Sequence, residues 1–168
     1  QQRYLARIAD NVARLIRMIN DLLDRTRIET GQLALSPAEV DLERCVAEVI
    51  EQLRPLAVQK HQALTAHYPA SALIVWADRD RLIQIVTNLV HNAIKFTDKG
   101  TITVRVTREP DKIVFEVEDT GIGIVEADQE LVFEPFETIL EDKSDPRLGF
   151  GLGLKIAEHI VDLHDGET

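Results

Sequence analysis

The sequence predicts an α+β fold: a two-layer α/β sandwich in which helices cover a mixed, mostly antiparallel sheet, preceded by a long N-terminal helix. Three observations support this. Apolar residues recur at helical spacing near the N-terminus, twice in the middle and once near the C-terminus. Two neighbouring segments alternate apolar and polar residues with period two, as hairpin strands do. The 168 residues suffice for one core and an appendage.

The N-terminal helix is predicted from a heptad seam. Apolar residues follow one another at alternating steps of three and four: Leu5, Ile8, Val12, Leu15, Ile19 and Leu22. Three further apolar residues widen this face: Ile16, Met18 and Leu23. A face of this width favours a helix inside a bundle over a helix that lies on its own domain.

A domain boundary is predicted near residue 31. Gly31 follows the heptad pattern and is typical of a helix C-cap. Residues 1–29 carry six Arg against four acidic residues, whereas the whole chain has a net charge of −10. We therefore expect residues 1–31 and 32–168 to form separate domains.

The chain after the predicted domain boundary begins with a short strand or linker at Leu33–Leu35. Asp41 is a good N-cap for a helix over 42–60, which we expect Pro55 to kink. Asp78 or Asp80 should cap the following helix. Strands are predicted on either side of that helix, with a hairpin joining the last two: 61–68, 73–76, 101–107 and 113–118.

Composition narrows the possible partners. A net charge of −10 and a pI near 4.9 disfavour nucleic acid and anionic membranes. The sequence has no apolar run as long as the roughly 20 residues of a membrane span and no signal-peptide pattern. The single cysteine, Cys45, lies among apolar residues and reads as a core thiol in a reducing, cytoplasmic setting.

A polar stripe marks the helix that follows Asp78. Asn88, Asn92 and Lys95 lie at i, i+4 and i+7, opposite the apolar arc of that helix. Amide oxygens are neutral ligands that suit Mg²⁺, and a lysine ammonium suits a phosphate. On its own, a solvated helix face remains the better interpretation of this stripe.

Two glycine-rich segments follow. The first runs from Asp119 to Ile124 and contains Gly121 and Gly123, which would let the backbone approach a ligand beside a carboxylate that can accept from an exocyclic amine. The second leads into the last helix and contains Gly149, Gly151, Leu152 and Gly153. A glycine-rich entry to a helix N-terminus favours anions, although the spacing is neither a dinucleotide fingerprint nor a P-loop.

Taken in order, these motifs resemble those of bacterial sensor histidine kinases. The stripe with Phe96 is similar to the N box, Asp119–Gly123 to the G1 box, Phe133–Phe136 to the F box, and the second glycine-rich segment to the G2 box. Residues 15–31 are similar to the second helix of the dimerisation and histidine-phosphotransfer hairpin.

The resemblance implies ATP and Mg²⁺ as cofactors. Asn92, and by analogy Asn88, would hold Mg²⁺ between the ATP phosphates, and Lys95 would contact phosphate. Asp119 would accept from the adenine amino group. The other implied nucleotide-binding residues are Phe96, Gly121, Gly123, Ile124, Gly149, Gly151, Leu152 and Gly153. Residues 137–148 would form a lid, from which Lys143 or Arg147 would reach the triphosphate.

The resemblance also implies partners. The family transfers the ATP γ-phosphoryl group to a histidine and then to an aspartate of a response-regulator receiver domain. The N-terminal helix would form a homodimer as half of a four-helix bundle. We expect a cytoplasmic domain without direct membrane contact, whose parent protein can still be membrane-anchored.

The sequence departs from the family pattern in three places. The phosphoacceptor histidine motif is absent, so we expect a fragment that does not phosphorylate itself. The chain stops at His164–Thr168, where the family continues into a final strand. Phe150 stands where a small hydroxyl residue is commoner.

Two alternatives to a kinase stay open. One is an ATP hydrolase of the same superfamily, which would place a glutamate where Asn88 stands, because an amide cannot activate water as a base. The other is a non-catalytic module that dimerises or docks a regulator.

Overall fold

The computed structural model describes residues 12, 15–16, 18–20, 22–28, 30–137 and 151–168. The described residues between 12 and 28 are helical and belong to helix α1. The later elements are β1 (Ala38–Asp41), α2 (Leu42–Gln59), β2 (Gln62–His67), β3 (Ile74–Ala77), α3 (Arg79–Phe96), β4 (Gly100–Arg108), β5 (Ile113–Asp119) and α4 (Gly153–Leu163).

The strands form two small sheets. In the first, β1 pairs antiparallel with β3. In the second, the order is β2-β4-β5, with β2 parallel and β5 antiparallel to the central strand β4. Helices and a mixed, mostly antiparallel set of strands thus confirm the predicted α+β class.

Helix α3 is the centre of the helical layer. One side of it packs on α2 and the sheet, where Val86, Val90 and Ile94 are at most 2% exposed. Another side packs on α4, where Ile85 meets Ile156 and Ile160 in a second apolar cluster. Its remaining face is left for the polar stripe, which is why that stripe sits between packed elements rather than on an open surface.

The element boundaries differ from prediction in few places. Asp78, not Asp80, caps α3, and its side chain accepts from the backbone of Asp80 and Arg81. Helix α2 contains Pro55 and continues to Gln59, one residue short of the predicted end, and the kink at Pro55 stays a prediction. Strand β1 was not predicted, because four residues whose antiparallel partners lie 33 to 39 positions away carry too little local pattern. Cys45 is a core thiol as expected, and burial raises its pKa.

Helix α1 ends where predicted and touches the rest of the chain there. Gly31 adopts a left-handed φ of +65° and its N–H donates to the carbonyl of Ile28. Asp24 is 7% exposed, and its Oδ2 accepts from Arg81 Nη1 at 2.9 Å and Gln84 Nε2 at 2.7 Å. The apolar face of helix α1 differs from Asp24 in exposure. Six of its described residues are 48–57% exposed: Val12, Leu15, Ile16, Ile19, Leu22 and Leu23.

None of the helices in the described part of the chain is both long and apolar enough to cross a bilayer.

Candidate functional site

The polar stripe of α3 meets the start of α4. Asn88 Nδ2 donates to the backbone oxygen of Gly153 at 3.1 Å, while Asn92 lies one turn further along and is half-buried. A Cβ on Gly153 would lie 3.5 Å from the Asn88 side chain, in ordinary contact. The first predicted metal ligand is therefore attached to the predicted phosphate-binding helix, and its Oδ1 accepts no hydrogen bond from any described residue.

The end of α3 meets the segment after β5. The Ile122 N–H donates to the Phe96 carbonyl at 3.3 Å. A Cβ on Gly121 would lie 2.5 Å from that same oxygen and 2.6 Å from Asp119 Oδ1. Gly121 is therefore required by the close approach of two backbone segments of the protein, and the predicted approach to a ligand stays a prediction. Gly123 has φ +68° and open space around its Cα.

The carboxylate of Asp119 is held on one side. Its Oδ1 accepts from the Gly121 N–H at 2.7 Å and from the Thr97 hydroxyl at 3.2 Å. Asp119 is the last residue of β5 and is exposed, whereas Thr97 is completely buried. The two hydrogen bonds fix the orientation of the carboxylate and leave Oδ2 for an external donor.

The aromatic segment meets the second glycine-rich segment. The Phe136 N–H donates to the Gly151 carbonyl at 3.2 Å. Gly151 has φ +61°, and a Cβ there would lie 2.9 Å from the Glu137 nitrogen, so a side chain has no room. The Arg25 guanidinium lies over the Phe136 ring, 4.4 Å from its centroid. Helix α1 thus reaches the edge of the site.

Helix α4 begins at Gly153, at the end of the second glycine-rich segment. Leu152 is 5% exposed and precedes the helix, and no side chain among the described residues caps it. The first N–H groups of an α-helix attract anions when no cap occupies them. Lys155 follows in the first turn and donates to Glu158 Oε2 at 2.7 Å, and this hydrogen bond raises the pKa of its ammonium.

A second cation, Lys95, lies in the last turn of α3. The Lys95 ammonium is 4.4 Å from the centre of the Phe96 ring. A cation over an aromatic face is attracted by the ring quadrupole and stays near it. The two residues therefore occupy one corner of the site, next to the segment that carries Gly121.

Three contacts thus join the four motifs: the stripe meets both glycine-rich segments, and the aromatic segment meets the second of them. Gly149, Phe150 and the lid residues 138–148, including Lys143 and Arg147, lie outside the described residues. Ile124 is described and 44% exposed. Sequence reasoning missed Thr97, which directly follows Phe96. It also missed Gln62, for which the available signal was a polar residue at a core-facing position of a strand.

A cavity of about 810 Å³ lies elsewhere, between the end of α1, the linker and α3. It reaches Asn88, but neither Asp119 nor Gly121 lines it. Because the Asp119 carboxylate does not line this cavity, we place the candidate site at the contacts between the motifs instead. Within the described residues, no group of three His, Cys, Asp or Glu side chains forms a metal cluster.

Comparison with known proteins identifies the family. Residues 77–168 match the family described as histidine kinase-, DNA gyrase B- and HSP90-like ATPases. The chain belongs to this family. The match covers α3, both hairpin strands, the glycine segments and α4, and it confirms a nucleotide-binding domain of this type.

Relatives narrow the comparison to sensor histidine kinases. The chain is 36% identical over 169 residues to the circadian input-output histidine kinase CikA of Synechococcus elongatus, and the match covers 99% of this chain and 22% of CikA. It is 34% identical over 154 residues to the sensor histidine kinase RcsC of Escherichia coli K12, covering 91% of this chain and 16% of RcsC. The predicted resemblance is confirmed, and the chain spans about a fifth of these relatives' length.

The fold agrees with a solved kinase structure. Full-length ShkA in complex with AMPPNP superposes with a TM-score of 0.78 at 29% identity, covering 96% of this chain and 34% of ShkA. The catalytic domain of histidine kinase ThkA gives a TM-score of 0.67 at 29% identity and covers 76% of this chain and 80% of ThkA.

Proposed function

We propose that this chain is the ATP-binding catalytic region of a sensor histidine kinase, which transfers the ATP γ-phosphoryl group to a histidine for relay to a response-regulator aspartate. The observation that carries the proposal is the hydrogen bond from Asn88 to Gly153. It joins an amide suited to Mg²⁺ to a helix N-terminus suited to phosphate, although the two residues are 65 positions apart.

In this proposal each part of the site contacts a different part of ATP. Asp119 accepts from the adenine amino group, with Phe96 and Ile124 beside the base. Gly123 allows the backbone to approach the ligand. Lys95 and the start of α4, with Gly149, Gly151, Leu152 and Gly153, bind the phosphates. These assignments combine the contacts described above with the order of the family motifs.

The residues present fit a magnesium ion. Mg²⁺ is commonly held by one or two protein oxygens together with nucleotide phosphates. Asn88 and Asn92 supply neutral oxygens one helical turn apart, and Asn88 Oδ1 is not engaged by another described residue. When bound, the ion would neutralise phosphate charge, and the amides would orient it without adding negative charge beside the triphosphate.

Asn88 favours phosphoryl transfer to histidine over hydrolysis. An amide cannot remove a proton from water, whereas a neutral imidazole is already a nucleophile near pH 7 and needs positioning and charge stabilisation. Steady turnover of ATP in water by the isolated chain would instead support the hydrolase alternative.

The proposed partners follow from helix α1. Six of its described apolar residues are about half exposed, as a seam that pairs with another helix requires. We propose that residues 1–31 form a dimerisation domain that pairs with a second copy, and that 32–168 form the catalytic domain. The domain would work in the cytoplasm, where it reaches ATP and a receiver domain. Sedimentation of the wild-type chain and of Leu15→Glu tests the dimer: the variant should shift toward monomer.

The nucleotide proposal is tested by titrating the chain calorimetrically with a non-hydrolysable ATP analogue and Mg²⁺. Asp119→Asn should weaken binding by roughly 10- to 100-fold, because it removes the charged acceptor of the adenine amine, and hydrogen bonds to charged groups contribute about 1.5–3 kcal/mol. Removing Mg²⁺ with EDTA should also weaken binding.

The matched control is Glu116→Gln on the same strand. Glu116 is exposed and pairs with Arg105 at 3.5 Å on the outer face of the sheet, so this change removes one charge without touching the site. Equal affinity of Asp119→Asn and wild type would support the non-catalytic alternative.

A further inference from the structure

A buried glutamine closes the C-terminal end of α3. Gln62 is 5% exposed on the core-facing side of β2, and its Nε2 donates to the carbonyls of Ile94 at 2.9 Å and of Thr97. Lys60 Nζ donates to the carbonyls of Ile94 at 2.7 Å and Lys95 at 3.0 Å. The last carbonyls of a helix have no partner within the helix, so these two side chains satisfy them.

Only one of the two side chains reaches the residue that leaves the helix. Gln62 contacts the Thr97 carbonyl, whereas both bonds of Lys60 end within α3. Thr97 is completely buried, and its N–H donates to Ala93 at 3.1 Å. Its backbone is thus held at both polar groups, which fixes the position from which its hydroxyl reaches Asp119.

The Thr97 hydroxyl points at the carboxylate proposed to recognise adenine. It donates to Asp119 Oδ1 at 3.2 Å, and the Gly121 N–H donates to the same oxygen at 2.7 Å. With both donors on Oδ1, the side chain has one preferred rotamer, in which Oδ2 remains available to a ligand donor.

We propose that Thr97 is the positioning residue for adenine selection and that Gln62, through the Thr97 carbonyl, sets its place. The inference rests on the proposed function, because it assumes that Asp119 accepts from the adenine amino group. Thr97 itself does not touch the base. It acts by keeping Asp119 in the orientation that accepts a hydrogen bond from an exocyclic amine at the purine 6-position.

The test compares two nucleotides that differ only in that amine. Binding of ATP and of purine riboside triphosphate, which has hydrogen at the 6-position, is measured calorimetrically with Mg²⁺ for wild type, Thr97→Val and Thr97→Ser. In Thr97→Val the preference for ATP should fall roughly tenfold, since charge-assisted hydrogen bonds are the stronger class. Affinity for purine riboside triphosphate should stay unchanged, and Thr97→Ser, which keeps the hydroxyl, should retain the preference.

A purely structural role predicts a different pattern. Thr97→Val would then weaken both nucleotides equally or neither, and either result overturns the inference. Should Thr97→Val not fold, Thr97→Ala gives the same comparison. A wild-type chain that binds ATP and purine riboside triphosphate equally would instead refute the assignment of Asp119 to adenine, so the two failures are distinguishable.

Gln62 and Lys60 provide a matched pair for the second half of the proposal. Gln62→Met should reduce the preference for ATP in the same direction as Thr97→Val, by a smaller factor. Lys60→Met removes a donor to the same Ile94 carbonyl but none to Thr97, and should leave the preference intact. Equal loss of preference in both variants, or in neither, would remove Gln62 from the proposal.

Discussion

At its N-terminal end α3 is capped by a carboxylate, and at its C-terminal end by an ammonium and an amide. Asp78 accepts from the backbone of Asp80 and Arg81 with one oxygen and from Ser36 with the other. Lys60 and Gln62 donate to the carbonyls at the far end. Both arrangements complement the helix dipole.

The two ends differ in what lies beyond them. Asp78 connects the linker to α3, and its own N–H donates to His164 Nε2 at the end of α4, so this end joins architectural elements. The other end leads through Thr97 to Asp119. A substitution at the first end should therefore change stability, and one at the second end should change ligand binding as well.

The largest expected effect is at the C-terminal end. Gly121→Ala places a Cβ 2.5 Å from the Phe96 carbonyl, so the backbone must shift beside Asp119. Because overpacking costs roughly 1–3 kcal/mol, affinity for an ATP analogue should fall about 10- to 100-fold in calorimetry. Gly31→Ala, at a glycine with φ +65° and open space outside the site, is the control and should leave this affinity unchanged. Wild-type affinity in Gly121→Ala would contradict the contact.

Removing the amide that caps this end comes next. Gln62→Met leaves the Thr97 carbonyl without its buried donor, and should lower the free energy of unfolding by about 1–3 kcal/mol in urea titrations. The amide oxygen of Gln62 is itself buried and has no partner among the described residues, so relief of that cost places the expected loss in the lower half of this range. Lys60→Met should cost less, because Gln62 still satisfies Ile94. A larger loss in Lys60→Met would reverse this ranking.

At the N-terminal end, Asp78→Ala removes the cap of α3 and the acceptor for Ser36. Loss of an N-cap costs about 0.5–2 kcal/mol, to be measured by the same urea titration. If the two ends act separately, affinity for the ATP analogue should remain that of wild type. A loss of affinity as large as that of Gly121→Ala would show that the ends are coupled.

The smallest effect depends on pH. Burial alone would raise the pKa of Asp78, but hydrogen bonds from the backbone of Ser36, Arg81 and Asp80, with the Arg81 charge, leave it below its ordinary value of 3.8. A folded-state pKa below the unfolded value contributes stability above pH 3.8, and that stability is lost as pH falls through the folded pKa. The stability difference between wild type and Asp78→Asn should therefore be constant from pH 7 to 5 and shrink below pH 4. A difference that grows with acid would contradict this sign.

The same comparison explains what could be predicted. Asp41 and Asp78 cap helices through residues two or three positions away, so local sequence was enough to predict both. The bonds from Lys60 and Gln62 span 32 to 35 positions and depend on β2 lying beside the end of α3. Sequence patterns carry no information of that range.

The motifs show the same limit. Their order predicted the fold and the family, because alternating periods and glycine positions are local properties. Their contacts were not predictable in detail: Asn88 meets Gly153 and Phe96 meets Gly121 only after α4 and β5 pack against α3. The role of Gly121 toward a ligand stays a prediction, and the group that excludes a side chain at this position is the Phe96 carbonyl of the protein itself.

The last turn of α1 makes two contacts through neighbouring residues, Asp24 with α3 and Arg25 with Phe136. Successive side chains on a helix diverge by about 100°, so α3 and Phe136 contact α1 from different directions. Turning α1 about its long axis cannot keep both contacts.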